Sequence, residues 1–333
     1  MFSSPEFWNR RGLMAWLLSP ASALYAGLTA LRSAFARPYH SALPVICVGN
    51  ITVGGTGKTP LVSVLCTALQ AANLTPVILS RGYGGRLKGP VICDPALHDA
   101  SDIGDEALML SDNFVVVVAA DRAIGAQFIE RQTDADVIIM DDGMQNPWLA
   151  QDMKIAVFDG QRGTQNGMLF PAGPLRQSLS GAIDRLDAVI FNGADDTSIS
   201  QKLPPDLLCI EGRLEPDAAQ IDRLAGKRIM AFAGIGNPVR FFRMLEGLGV
   251  DLVKQSGFAD HHPYSAVDLD RLFADAQNFG AELVTTRKDW IRLPPDWRER
   301  VSVIAVTMQF QPDAFASLLA RIHEKIQMKR THR

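Results

Sequence analysis

Eight residues, Thr52-Val53-Gly54-Gly55-Thr56-Gly57-Lys58-Thr59, constrain this chain more than any other stretch. They follow a β-branched run, Val45 to Val48, and precede a helical pattern from Pro60 to Ala72. Glycines between a strand and a helix let the backbone wrap closely, so that N–H groups point at phosphate oxygens in front of the positive helix end. Lys58 is placed for the β/γ-phosphates and Thr59 for a magnesium ion. The strict pattern has glycine where Thr52 stands; Gly54, Gly55 and Gly57 supply the remaining flexible positions.

From residue 44 the chain alternates short apolar runs with helical stretches. Expected strands are Val45 to Val48, Val77 to Leu79, Phe114 to Ala119, Val137 to Met140, Ile155 to Phe158 and Ala188 to Phe191. Apolar strands without polar alternation belong in a parallel sheet covered on both faces. After Pro204 and Pro205, the runs Arg228 to Ala233, Leu283 to Thr286 and Val301 to Val306 supply a second, smaller unit. The expected class is α/β: a P-loop NTPase-type, mostly parallel sheet, a smaller α/β domain and an N-terminal membrane-associated helix. The expected boundaries are 1–40, 41–205 and 206–333.

Leu13 to Leu31 carries no charge and is flanked by Arg10, Arg11, Arg32 and Arg37. That is membrane length. A signal peptide, a spanning helix, an interfacial helix and a core-packing helix all pass this test. Secretion conflicts with the nucleotide motif that follows, and Pro20 weakens a full span, so interfacial attachment ranks first. The net charge of −3 gives no global reason to expect a nucleic-acid partner. Cys47, Cys66, Cys93 and Cys209 are widely separated and form no C-x-x-C pair, so they suggest neither a zinc site nor a disulfide framework and suit a reducing compartment.

Asp141-Asp142-Gly143-Met144-Gln145 ends the Val137 to Met140 run. Ligands of parallel sheets bind beyond the carboxyl ends of the strands, so both carboxylates are candidates to hold magnesium. Ser80-Arg81-Gly82-Tyr83 and Asp121-Arg122 end two other runs, where the arginines serve either phosphate or a solvated surface. Phe191-Asn192-Gly193-Ala194-Asp195 lacks the lysine of a guanine-reading strand end. Asp105, in Gly104-Asp105-Glu106, is either a helix cap or a general base. Asp260-His261-His262-Pro263 holds an adjacent histidine pair, which alone says little about metal because neighbouring side chains diverge.

Taken in order, Val48 to Pro60, Ser80-Arg81-Gly82-Tyr83, Gly104-Asp105-Glu106, Asp141-Asp142-Gly143-Met144-Gln145, Pro171-Ala172-Gly173-Pro174-Leu175-Arg176 and Asp260-His261 resemble the tetraacyldisaccharide 4'-kinase family of lipid A biosynthesis. The resemblance implies an ATP- and Mg2+-dependent enzyme that phosphorylates the 4'-hydroxyl of a tetraacylated glucosamine disaccharide 1-phosphate. It implies a glycolipid substrate and attachment to the cytosolic face of the bacterial inner membrane, with no obligate protein partner. On this likeness Lys58, Asp105 and His261 are the catalytic set. Thr52 to Thr59, Arg122 and Gln145 bind the nucleotide, and Thr59, Asp141 and Asp142 hold the metal. Relatives often carry an acidic residue where this chain has Gln177.

Overall fold

A computed structural model describes residues 5–331, so the outermost residues of the expected 1–40 and 206–333 segments lie outside the described range. The strands in chain order are β1 (Val45–Gly49), β2 (Pro76–Ser80), β3 (Val91–Ile92), β4 (Val116–Val118), β5 (Val137–Asp141), β6 (Met153–Asp159), β7 (Ala188–Asn192), β8 (Leu208–Pro216), β9 (Arg228–Ala233), β10 (Asp251–Gly257), β11 (Glu282–Thr286), β12 (Ser302–Ile304) and β13 (Val306–Phe310). A nine-stranded sheet runs in the order β13-β8-β7-β6-β1-β5-β2-β4-β3, and a four-stranded sheet in the order β10-β9-β11-β12. From β8 to β4 every pairing in the large sheet is parallel, and β3 is antiparallel to β4. The small sheet is parallel throughout.

Burial explains why these runs become strands. Every residue of β1, β2, β4, β5 and β7 is buried, as a parallel sheet covered on both faces requires. Leu79, Ile138, Met140, Phe158 and Val189 belong to one apolar cluster of the large sheet. In the small sheet Ile229, Ala231 and Val284 pack with Phe241, Phe242 and Leu245 on one side, while Met230 and Phe232 pack with Leu269 and Leu272 on the other.

Backbone contacts divide the chain into two compact units, Pro5–Leu214 with 308–331, and Glu215–Thr307. The observed division thus falls later than the expected 205/206 boundary, inside β8. The helix Pro312–Thr331, expected in the smaller domain, belongs to the larger unit. Its Leu318, Ile322 and Ile326 recur every four residues on one face and are buried. Lys325 and Lys329 pair with Asp187 and Asp152, each at 2.8 Å, and Arg330 pairs with Asp136.

Helix α1 (Leu13–Phe35) has only Ala15 and Ser22 buried, and Leu13, Leu17, Leu24, Leu28, Leu31 and Phe35 stand exposed. Pro20, which weakens a full span, lies inside this helix without breaking it. The proline leaves the Trp16 carbonyl without its usual i+4 donor, and the Ser19 hydroxyl donates to that oxygen at 2.8 Å. Ser22 staples the helix to the following structure: its Oγ donates to the Leu169 carbonyl at 2.7 Å and accepts the Ala172 N–H at 3.0 Å. The Trp8 indole donates to the Pro171 carbonyl at 3.0 Å.

Candidate active site

The glycine-rich turn leaves β1 and enters helix α2 (Lys58–Ala71). Gly54 and Gly57 take positive φ, +120° and +97°, which side chains resist. A Cβ on Gly57 would also meet the Asn192 amide at 2.9 Å. Thr52 needs no such freedom, because it forms an antiparallel bridge with Leu175, and this accounts for its departure from glycine. Polar groups buried around the loop hold its shape. The Asn50 amide donates to the Gly54 carbonyl at 3.1 Å, and the Asn192 amide to the Thr56 carbonyl at 3.0 Å. The Gln145 amide donates to the Asn50 carbonyl at 2.9 Å.

A second segment, 166–176, lies along the loop. The Val53 N–H donates to the Pro174 carbonyl at 2.8 Å, and the Arg176 N–H to the Ile51 carbonyl at 2.7 Å. This contact delivers the Arg176 guanidinium to Asp142, where Nη1 lies 3.1 Å from both carboxylate oxygens. Lys58 Nζ stands 3.7 Å from Asp142 Oδ1. Burial alone would raise the Asp142 pKa, but the charges of Lys58 and Arg176 outweigh it and hold the carboxyl below its ordinary value.

Asp141 behaves in the opposite way. It ends β5, beside β1, and burial followed by the negative charges of Glu106 and Asp142 pushes its carboxyl up to about 7, against the pull of Lys58 and Arg122. Its Oδ1 is buried with no hydrogen-bond partner. A buried carboxylate oxygen left over beside a second carboxylate suits a hard divalent cation. Thr59, Asp141 and Asp142 therefore fit magnesium, which needs few protein ligands because water and phosphate oxygens complete its shell. Among the described residues no cluster of three or more His, Cys, Asp or Glu suggests a self-sufficient metal cage.

Arg122 opens the helix Arg122–Gln132, is buried, and donates from Nη1 to the Ala119 carbonyl at 2.6 Å. Burial, with Arg81 next, pulls its pKa down to about 10, against Asp141 and Asp142, and leaves it a cation at neutral pH. Asp105 is buried as the first residue of the helix Asp105–Ser111; Gly104 occupies the N-cap, and the Asp105 carboxylate accepts the Glu106 N–H at 3.0 Å. The cap reading thus passes to Gly104. Glu106, unassigned from sequence, acts electrostatically on Asp141 and so places this helix start at the same site.

His261 lies in the smaller unit, on the loop between β10 and the helix Ala266–Phe279. His262 is engaged elsewhere: its Nε2 is 3.1 Å from Asp268 Oδ2, within the cap of that helix. The large unit therefore brings Lys58, Arg122, Asp141, Asp142 and Gln145 together around the P-loop strand ends, with Thr59 following Lys58 and Asp105 preceding Glu106 in the chain, while His261 is described with its own unit. Arg176, Asn50 and Asn192 were not assigned from sequence. Arg176 was signalled only by the Pro171 to Arg176 motif, and Asn192 only by its place at a strand end.

The family profile described as tetraacyldisaccharide-1-P 4'-kinase matches residues 14–324. A tetraacyldisaccharide 4'-kinase of Rhodospirillum rubrum is 42% identical over 324 residues, covering 96% of this chain and 97% of the relative. Its counterpart in Bradyrhizobium diazoefficiens is 44% identical over 336 residues, covering 99% and 98%. The crystal structure of LpxK from Aquifex aeolicus in complex with ATP superposes with a TM-score of 0.76 at 25% identity, covering 94% of this chain and all of that one. Set beside the glycine-rich loop, the paired carboxylates and their cationic neighbours, these likenesses show that the chain belongs to the tetraacyldisaccharide-1-phosphate 4'-kinase family.

Proposed function

We propose that this chain transfers the γ-phosphoryl group of ATP to the 4'-hydroxyl of a tetraacylated glucosamine disaccharide 1-phosphate, in lipid A biosynthesis, at the P-loop edge of its large sheet. The observation that carries the site assignment is the meeting of Lys58, Arg176 and Asp142 beside the partnerless oxygen of Asp141. Phosphoryl transfer depends on alignment and charge neutralisation rather than on covalent chemistry by the protein. Loop N–H groups and Lys58 receive the β- and γ-phosphates, and Arg122 adds a buried cation. Thr59, Asp141 and Asp142 would hold magnesium, which when bound supplies Lewis-acid neutralisation of phosphate oxygens.

A sugar hydroxyl is a weak nucleophile, so Asp105 accepts its proton as the oxygen–phosphorus bond forms and ADP departs. His261 completes the catalytic set that the resemblance implies. Helix α1 lies in the cytosolic interface of the inner membrane, with its exposed leucines toward the acyl region and its flanking arginines at the headgroups. That brings the enzyme to a substrate that stays in the bilayer. The deciding experiment follows labelled phosphate from [γ-32P]ATP onto a tetraacyldisaccharide 1-phosphate in detergent micelles, resolved by thin-layer chromatography. Magnesium-dependent transfer to the lipid is expected, and ATP hydrolysis with no labelled lipid would overturn the assignment.

A further inference from the structure

The loop that carries His261 is built to hold one ring orientation. His261 itself sits at φ +57°, a left-handed conformation that residues with a side chain resist. Its N–H donates to the Gly234 carbonyl and to Asp260 Oδ1, each at 3.1 Å. Gly234 is held in turn by Asp289, a fully buried carboxylate whose Oδ1 accepts the Gly234 N–H at 2.9 Å and the Tyr264 hydroxyl at 2.8 Å. Arg292 Nη1 donates to the Gly234 carbonyl at 3.0 Å and to Asp289 at 3.1 Å. Thr286 Oγ donates to the other Asp289 oxygen at 2.6 Å. One buried acid thus ties down Gly234, Tyr264 and the short helix Arg287–Trp290 that carries Lys288.

Lys288 places its Nζ 3.3 Å from His261 Nε2 and 3.6 Å from Asp260 Oδ1. An ammonium has donors and no acceptor, so a hydrogen bond to it requires a lone pair on the imidazole nitrogen that faces it. Asp260 Oδ1 is 3.8 Å from Nε2, too far to claim a proton there. His262 pairs with Asp268, and Arg292 with Asp289.

We propose that Lys288 is a positioning residue that fixes His261 as its Nδ1–H tautomer, with the Nε2 lone pair turned to the lysine. The proton-bearing nitrogen is then the one not engaged by Lys288, and it can donate to a carboxylate or phosphoryl oxygen. In this form His261 orients an acid or an anion rather than accepting the substrate's proton at Nε2. The inference rests on the role given to His261 above for its meaning, but its primary readout is independent of turnover.

The experiment uses the full chain labelled with 15N-histidine in detergent micelles, with long-range 1H–15N spectra recorded at pH 8, where imidazoles are ordinarily neutral. His261→Gln identifies the signal by its loss. The wild type is expected to show Nδ1–H, and Lys288→Arg, which keeps a donor-only cation, the same pattern. Lys288→Met removes the donor that engages the Nε2 lone pair, so the Nδ1–H preference is lost and the Nε2–H form gains population; turnover falls between about tenfold and a hundredfold, and Lys288→Arg restores most of it. An Nε2–H wild type, or an unchanged tautomer in Lys288→Met, overturns the proposal. The wild-type spectrum decides even where the methionine variant does not fold. A wild type with the expected tautomer but no lipid phosphorylation would sink the assigned reaction and leave the lysine–histidine contact standing.

Discussion

Replacing Ser22 with alanine tests whether helix α1 is structurally continuous with the nucleotide site. Ser22 is 5% exposed, and its hydroxyl serves the Leu169 carbonyl and the Ala172 N–H. The two losses are unequal. Leu169 O keeps the Gly173 N–H at 2.9 Å, whereas no other partner for the Ala172 N–H is present in the bonding pattern of this segment. A buried donor left unpaired costs about 1–3 kcal/mol and a half-satisfied carbonyl less, so roughly 2–3 kcal/mol of local stability goes. At 1.4 kcal/mol per tenfold, that is on the order of thirtyfold to a hundredfold faster amide exchange across residues 168–176 when this region opens locally. The far end of the same segment bonds the P-loop through Pro174 O and Arg176 N, so turnover should fall several-fold with it. Hydrogen exchange read by mass spectrometry on the micelle-bound enzyme measures the first effect. Ser19→Ala, which removes an exposed hydroxyl, should change stability by no more than about 0.5 kcal/mol. Unchanged exchange over 168–176 in Ser22→Ala would show that the hydroxyl does not staple the helix to the loop.

Lys58→Ala and Asp142→Ala should each lower phosphoryl transfer by at least about a hundredfold, since each removes charge stabilisation of the transferring group; near-normal turnover in either rejects the P-loop assignment. Glutamates at Leu17, Leu24 and Leu28, exposed by 65%, 65% and 58%, should shift the protein from the membrane pellet to the supernatant while Ser22 and Ala15 keep their contacts; full retention would assign attachment to another surface. Arg176→Met removes one of the three cations, with Lys58 and Arg122, that depress the Asp142 pKa, so that pKa rises, the carboxylate protonates at higher pH, and the acidic limb of the pH–rate profile moves upward; a limb that stays in place or moves down contradicts the pairing. Asp105→Ala and His261→Ala should be strongly non-additive in turnover, with nucleotide affinity within a few-fold of wild type; additive losses would separate the two residues into independent roles.

What sequence alone made legible follows from where each signal is stored. Runs such as Val45 to Val48, Val137 to Met140 and Ala188 to Phe191 are apolar because both of their faces are covered, and they appear as β1, β5 and β7 with one residue added at the end of each. The strands that went unseen carry mixed environments: β8 alternates buried and exposed residues, and β10 contains Lys254, Gln255 and Ser256. The expected Val301 to Val306 strand separates into β12 and β13 at Ala305, whose N–H is taken by the Gln220 side chain at 2.7 Å and whose carbonyl takes the Asp217 N–H at 3.0 Å. A residue whose backbone is satisfied from outside the sheet ends the ladder whatever its strand propensity. Chemistry follows the same division. Lys58, Thr59, Asp141 and Asp142 are legible because each belongs to a contiguous strand–loop element that positions its own side chains. Arg176 reaches Asp142 only because Thr52 bridges Leu175, and Lys288 reaches His261 only because Asp289 holds Gly234 and Tyr264. Those placements arise from pairings between distant segments, so the residues that tune this site were the ones hidden from a linear reading, although the residues they tune were in plain view.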